Sequence, residues 1–99
     1  MSNVVEFASF NLKKGVSVSD FLLVSDKFNS VFLSAQKGYI SRELLFSEEM
    51  WDDSVLWETM EDALKAFKTV DEDSVACKYM SFMDEDSIKV LHLPVERSY

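Results

Sequence analysis

The spacing of hydrophobic positions changes along this 99-residue chain, and each change marks an element. Residues 3–12 (Asn-Val-Val-Glu-Phe-Ala-Ser-Phe-Asn-Leu) are rich in β-branched and aromatic types and free of Gly and Pro, which predicts a first strand. Lys13-Lys14-Gly15 is a turn. Ser17 is placed to cap a helix, with Asp20 three residues on. Phe21, Val24, Phe28, Val31, Phe32 and Ala35 then share one helical face, which predicts a helix over 18–35. Ser25, Asp26, Lys27, Asn29 and Ser30 fall on its solvent side, and Gly38 ends it.

The second half reads in the same way. Residues 39–47 and 51–58 form two strands joined by Glu48-Glu49-Met50, a connection short enough to make them an antiparallel hairpin. Thr59 caps a second helix over 60–70, with Met60, Ala63, Leu64, Phe67 and Val70 inward. A shorter helix follows over 72–82, turning Val75, Tyr79 and either Phe82 or Met83 inward. Asp84-Glu85-Asp86 is a charged turn, and residues 87–95 are the last strand, with Pro94 marking an edge or an end. The order β-α-β-β-α-β predicts one α+β domain over residues 1–99. It is ferredoxin-like, a four-stranded antiparallel sheet with its helices on one face.

A sheet covered on one face only should show polar residues at every second position of its open side. Here both alternating sets are apolar. The first strand carries Val5 and Phe7 on one set and Val4, Ala8, Phe10 and Leu12 on the other. The second has Ile40, Leu44 and Phe46 against Tyr39 and Leu45, and the fourth has Ile88 and Val90 against Leu91, Leu93 and Val95. A second copy is the nearest cover for such a face, so a homodimer through the sheet is expected.

Composition narrows the partners. With 47% hydrophobic and 13% aromatic residues, the chain can build a core. Eighteen acidic against ten basic residues give a net charge of −8, which argues against nucleic acid and against anionic membrane surfaces. The N-terminus shows no secretory pattern, and strictly apolar runs reach about four residues where a span needs roughly 20. The single cysteine, Cys77, permits no internal disulfide and fits a reducing, cytoplasmic setting.

Three polar residues stand out as candidate chemistry. His92 is the only histidine and lies between Leu91 and Leu93; it is either a general base or a core histidine satisfied by the backbone. Arg42 shares a face with Ile40, Leu44 and Phe46, so it needs a carboxylate such as Glu6, Asp53 or Glu58, or else an anionic ligand. Glu6 shares a face with Ala8 and Phe10; it is either at the rim of a cleft between sheet and helices, where its pKa would be raised, or solvated at the end of the sheet. Trp57, Phe10, Phe28 and Phe67 are the expected lining of such a pocket, suited to a small aromatic or carboxylate ligand, although aromatic residues are more often plain core. One His and one Cys cannot make a structural zinc site, and two glycines cannot make a phosphate loop, so no metal or cofactor is expected.

Three segments carry a family resemblance: Leu12-Lys13-Lys14-Gly15-Val16-Ser17, Gln36 to Leu44, and Val55-Leu56-Trp57-Glu58-Thr59-Met60-Glu61-Asp62-Ala63. Together they resemble the dimeric α/β-barrel superfamily, in particular its antibiotic-biosynthesis-monooxygenase-like and NIPSNAP-like proteins. The resemblance implies ferredoxin-like protomers dimerised sheet to sheet, and either a cofactor-independent monooxygenase-like activity on a small molecule or a non-catalytic structural or ligand-sensing module. The heme-degrading branch of that superfamily uses an Asn in the first strand, a Trp at the end of the third and a His in the second helix. Trp57 matches, but the other two positions fall on Ala8 and Phe67, neither of which can ligate iron.

Overall fold

The computed structural model describes residues 2–99. Its elements are β1 (Val4–Phe10), α1 (Val18–Lys27), β2 (Tyr39–Ser47), β3 (Met50–Trp57), α2 (Met60–Thr69), α3 (Ser74–Met80) and β4 (Lys89–Pro94). The strands form one antiparallel sheet in the order β2-β3-β1-β4, so β1 and β3 are central and β2 and β4 are edges. Each helix starts on a side-chain cap. Ser17, Thr59 and Asp73 accept from the backbone N–H of Asp20, Asp62, and both Val75 and Ala76.

The first helix departs from the expected single span over 18–35. It runs regularly to Lys27, widens into a π turn over Phe28–Phe32 and closes with a 3₁₀ turn over Leu33–Ala35. A π turn takes an extra residue per revolution and so rotates the buried face. Ser25, expected in solvent, is buried beside Phe21, Phe28, Phe32 and Leu33, while Val31, expected inward, is half exposed. A second irregularity falls in β2. Tyr39 and Ser41 face consecutive partners, Trp57 and Leu56, so Ile40 is an extra bulged residue. Tyr39, not Ile40, therefore lies on the Arg42 and Leu44 side.

Register assigns the faces. Val4, Glu6, Ala8 and Phe10 of β1 lie beside Trp57, Val55, Asp53 and Trp51 of β3, and all of these turn toward the helices. The core there is aromatic: Phe21 meets Phe10, Trp51, Tyr79 and Phe82 with ring centroids 5.0–6.4 Å apart. Helix α2 approaches through Ala63 and Ala66, both buried, which leaves Leu64 and Phe67 at its flanks partly exposed rather than fully inward. Of the two candidates after α3, Met83 is the buried residue and Phe82 only packs at the core's margin. On the other face of the sheet, Val5 and Phe7 lie beside Leu93 and Leu91, and Val5 pairs with Leu56. Leu91 and Leu93 stand about half exposed.

Candidate functional site

Two polar groups are built into the helix side of the sheet. The first is a clasp around Asp53. Arg42 Nε donates to Asp53 Oδ1 at 2.7 Å, and Nη2 to Oδ2 at 3.1 Å. Tyr79 Oη donates to the same Oδ2 at 2.7 Å. Arg42 also reaches the Ser25 carbonyl at 3.2 Å, the Ser25 hydroxyl at 2.8 Å and the Tyr79 oxygen at 3.0 Å. Its guanidinium carbon lies 5.3 and 5.2 Å from the Phe28 and Tyr79 ring centroids. Burial and the neighbouring Asp53 carboxylate raise the Tyr79 phenol well above its ordinary range, so it acts as a fixed donor. Of the partners open to Arg42 in the sequence, the fold supplies Asp53. The clasp joins α1, β2, β3 and α3.

The second group is Glu6 with His92. The two residues are opposite one another across β1 and β4, and His92 Nε2 lies 3.2 Å from Glu6 Oε1. Both side chains are more than four-fifths buried. Burial raises the Glu6 carboxyl above its ordinary value of 4.5; the charge and hydrogen bond of His92 pull it part of the way back, and Asp53 adds a smaller upward push. Phe67 stands edge-on to the His92 ring, with centroids 5.5 Å apart.

Between these groups lies a cavity under α2 and α3. Glu6, Ala8, Asp53, Val55, Ile88 and Val90 form its sheet and β4 side; Phe28, Phe67, Tyr79 and Met80 stand among the residues opposite. It offers about 60 Å³ to the centres of water-sized molecules. A single water needs roughly 10–15 Å³ by that measure, so a ring-sized molecule is in scale. Phe28 and Phe67, expected in the pocket lining, are in its wall. Phe10 and Trp57 are not; both are sealed in the core, at 0% and 1% exposure. Arg42 and His92 are not in the wall; they stand behind it, Arg42 against Asp53, Tyr79 and Phe28, and His92 against Glu6 and Phe67. Asp53 is a lining residue the sequence does not announce, because neither periodicity nor spacing reveals which residues face each other across a cleft. Ala8 and Phe67, at the positions compared with the heme-degrading pattern, both line the cavity and bring no ligand atom. Among the described residues no group of three His, Cys, Asp or Glu side chains could hold a metal ion, and no helix is long and apolar enough to cross a membrane.

No protein-family model and no curated protein matches the chain. Solved structures do match it. The cofactor-independent oxygenase SnoaB from Streptomyces nogalater aligns with a TM-score of 0.79 at 12% identity, covering 99% of this chain and 97% of the other. A protein from Bordetella bronchiseptica, assigned by name to the antibiotic biosynthesis monooxygenases, aligns at 0.71 and 18% identity over 100% and 99% of the two chains. A NIPSNAP family protein of unknown function from Agrobacterium tumefaciens aligns at 0.67 and 12% identity over 97% and 90%. A dimeric ferredoxin-like protein from an uncultured marine organism aligns at 0.65 and 13% identity over 100% and 92%. The chain thus has the ferredoxin-like α+β fold that antibiotic-biosynthesis-monooxygenase-like and NIPSNAP-like proteins share.

Proposed function

We propose that this protein binds a small, largely apolar molecule in the cavity between sheet and helices, with Glu6, backed by His92, as its polar anchor. One observation carries the reading: a carboxylate more than four-fifths buried, with one oxygen unpartnered among the described residues, lines a cavity whose other polar groups, on Asp53 and Tyr79, are already paired with each other and with Arg42. A core gains nothing from such a group, since burial of a charge costs free energy. Functional sites keep groups of this kind. Cofactor-independent oxygenation, the activity in the name of the Streptomyces nogalater protein, would begin here with Glu6 taking a proton from the bound molecule, a role its raised pKa suits. Arg42 serves as a positioning residue behind Asp53 and Tyr79.

The test has two arms. Fragments of one aromatic ring, of either charge or none, are screened by thermal shift and by methyl NMR. At least one should perturb the Ala8, Val55 and Val90 methyls and raise Tm; saturation at a hundredfold excess over Kd is worth about 2.7 kcal/mol. If no fragment moves those methyls, the reading is wrong. In the second arm, Glu6→Gln raises stability at pH 7 by about 1 kcal/mol, the usual scale for relieving a functional strain. The folded protein holds the Glu6 proton more tightly than the unfolded chain does. The cost of the buried carboxylate is therefore absent below pH 4.5 and grows as pH rises through the folded-state value. The advantage of Glu6→Gln should accordingly vanish in acid.

The working unit in this proposal is a homodimer joined through the open face of the sheet, where Val5, Phe7, Leu56, Leu91 and Leu93 form an apolar band. Among its structural relatives is a dimeric ferredoxin-like protein. Light scattering after size exclusion should give twice the 11.4 kDa of one chain at micromolar concentration. A single-chain mass at every concentration removes the dimer.

A further inference from the structure

The hydrogen-bonding inventory of the cavity is one-sided. Its polar wall groups are the carboxylates of Glu6 and Asp53 and the hydroxyl of Tyr79. The Tyr79 proton is committed to Asp53 Oδ2 at 2.7 Å. Asp53 is itself neutralised by Arg42, whose Nε, Nη1 and Nη2 are all engaged with Asp53, Ser25 and Tyr79. No wall residue has a side-chain donor left over, and none is a cation. Glu6 is different. Its Oε1 meets His92 Nε2 at 3.2 Å, and its Oε2 has no hydrogen-bond partner among the described residues. The remaining wall is aliphatic, apart from the rings of Phe28, Phe67 and Tyr79. Ring faces favour cations and give nothing to anions.

From this we infer that the ligand is a small organic cation: a protonated amine on a ring-sized apolar body, its ammonium group at Glu6 and its body among Phe28, Phe67 and Met80. The inference rests on the proposed cavity site and fixes the charge of the molecule that site takes. An aromatic carboxylate, one of the ligand classes expected from the sequence, would bring a third carboxylate against Glu6 and Asp53 and find no donor. A neutral alcohol could donate one hydrogen bond but would bring no positive charge to the two carboxylates of the wall. Beyond the site, the net charge of −8 draws cations toward the protein and repels anions.

Three probes of matched size separate these cases: benzylamine, benzyl alcohol and benzoate, titrated at pH 7.5 and moderate salt against the intact protein. Methyl NMR reports where each binds, and calorimetry how tightly. Benzylamine should saturate one site, shift the Ala8, Val55 and Val90 methyls, and bind at least tenfold more tightly than benzyl alcohol. Benzoate should not bind. In Glu6→Gln the benzylamine affinity should fall at least tenfold. Equal or tighter binding of the alcohol or of benzoate would overturn the cation while leaving a small-molecule cavity in place. Shifts confined to methyls outside the cavity wall, or benzylamine affinity unchanged in Glu6→Gln, would overturn the site assignment for the amine. If none of the three reaches the cavity, but the wider screen finds a ligand that does, the cation alone falls; if nothing reaches it, both readings fall together.

Discussion

Asp53→Ala should lose about 3–5 kcal/mol of folding stability, the scale for stripping one partner from a buried ion pair. The removed carboxylate accepts from Arg42 twice and from Tyr79 once. Its loss would leave a guanidinium, with only 6% of its side chain exposed, facing Ser25 and two aromatic rings. For a domain of this size each kcal/mol lowers Tm by roughly 4–8 °C, so the variant should be close to unfolding at room temperature. Arg42→Ala should cost a similar amount, because the Asp53 carboxylate is then the stranded charge. The pair is coupled, and the double replacement Arg42→Met with Asp53→Leu should cost well under the sum of the single changes. Urea unfolding of the three variants measures this. A cost for Asp53→Ala below about 1 kcal/mol, the range of exposed pairs, would show that the clasp does not hold the fold.

Trp57→Ala should be of the same order, about 3–5 kcal/mol, for a different reason. Trp57 is 1% exposed at the end of β3, beside Val4 and edge-on to Tyr39 with ring centroids 6.2 Å apart. Truncation there leaves a void that the surrounding sheet and helix cannot collapse into. The indole also carries a penalty: its Nε1 is buried with no protein acceptor among the described residues. Such a group costs on the order of 1–3 kcal/mol. Trp57→Phe keeps a ring and removes the stranded N–H, so it should cost less than half as much as Trp57→Ala. Ligand binding in Trp57→Phe should equal wild type, because Trp57 is not in the cavity wall. A selective loss of binding without loss of stability would instead place the indole in the site.

The alternation over 39–47 placed β2 correctly to the residue, and Ser17 and Thr59 marked helix starts because a cap is a local device, readable from a few neighbours. Strand and helix order followed from the same local patterns, and order alone restricts the fold to a ferredoxin-like arrangement. The π turn over Phe28–Phe32 is not legible, since no residue type demands it; Phe28 at its start stacks on Tyr79, with ring centroids 4.3 Å apart, a contact no local pattern shows. The bulge at Ile40 was hidden for the same reason, as alternation read straight through it. Arg42 and Glu6 attracted notice as charges on apolar faces, but their partners lie 11 and 86 residues away along the chain. Only the strand register could select Asp53 from three candidates. Tyr79 is expected inward on its helix; its hydroxyl completes the clasp, and no short-range signal announces that.

Gly38 has a different kind of significance. It connects the end of the first helical segment to β2 with φ of +86°, and its carbonyl accepts from the Glu58 N–H at 2.8 Å. A side chain at this position is barred twice. The backbone lies in the left-handed region that β-carbons resist, and a Cβ there would stand 2.6 Å from the Cβ and Cγ of Asp62. The contact cannot be relieved without moving the start of α2, where Asp62 also gives its N–H to the Thr59 cap. The solved structures described above share only 12–18% of their aligned residues with this chain. Position 38 has one admissible letter wherever the same turn abuts the same helix. It is therefore a fixed point from which distant sequences of this shape can be brought into register when the rest of their text no longer agrees.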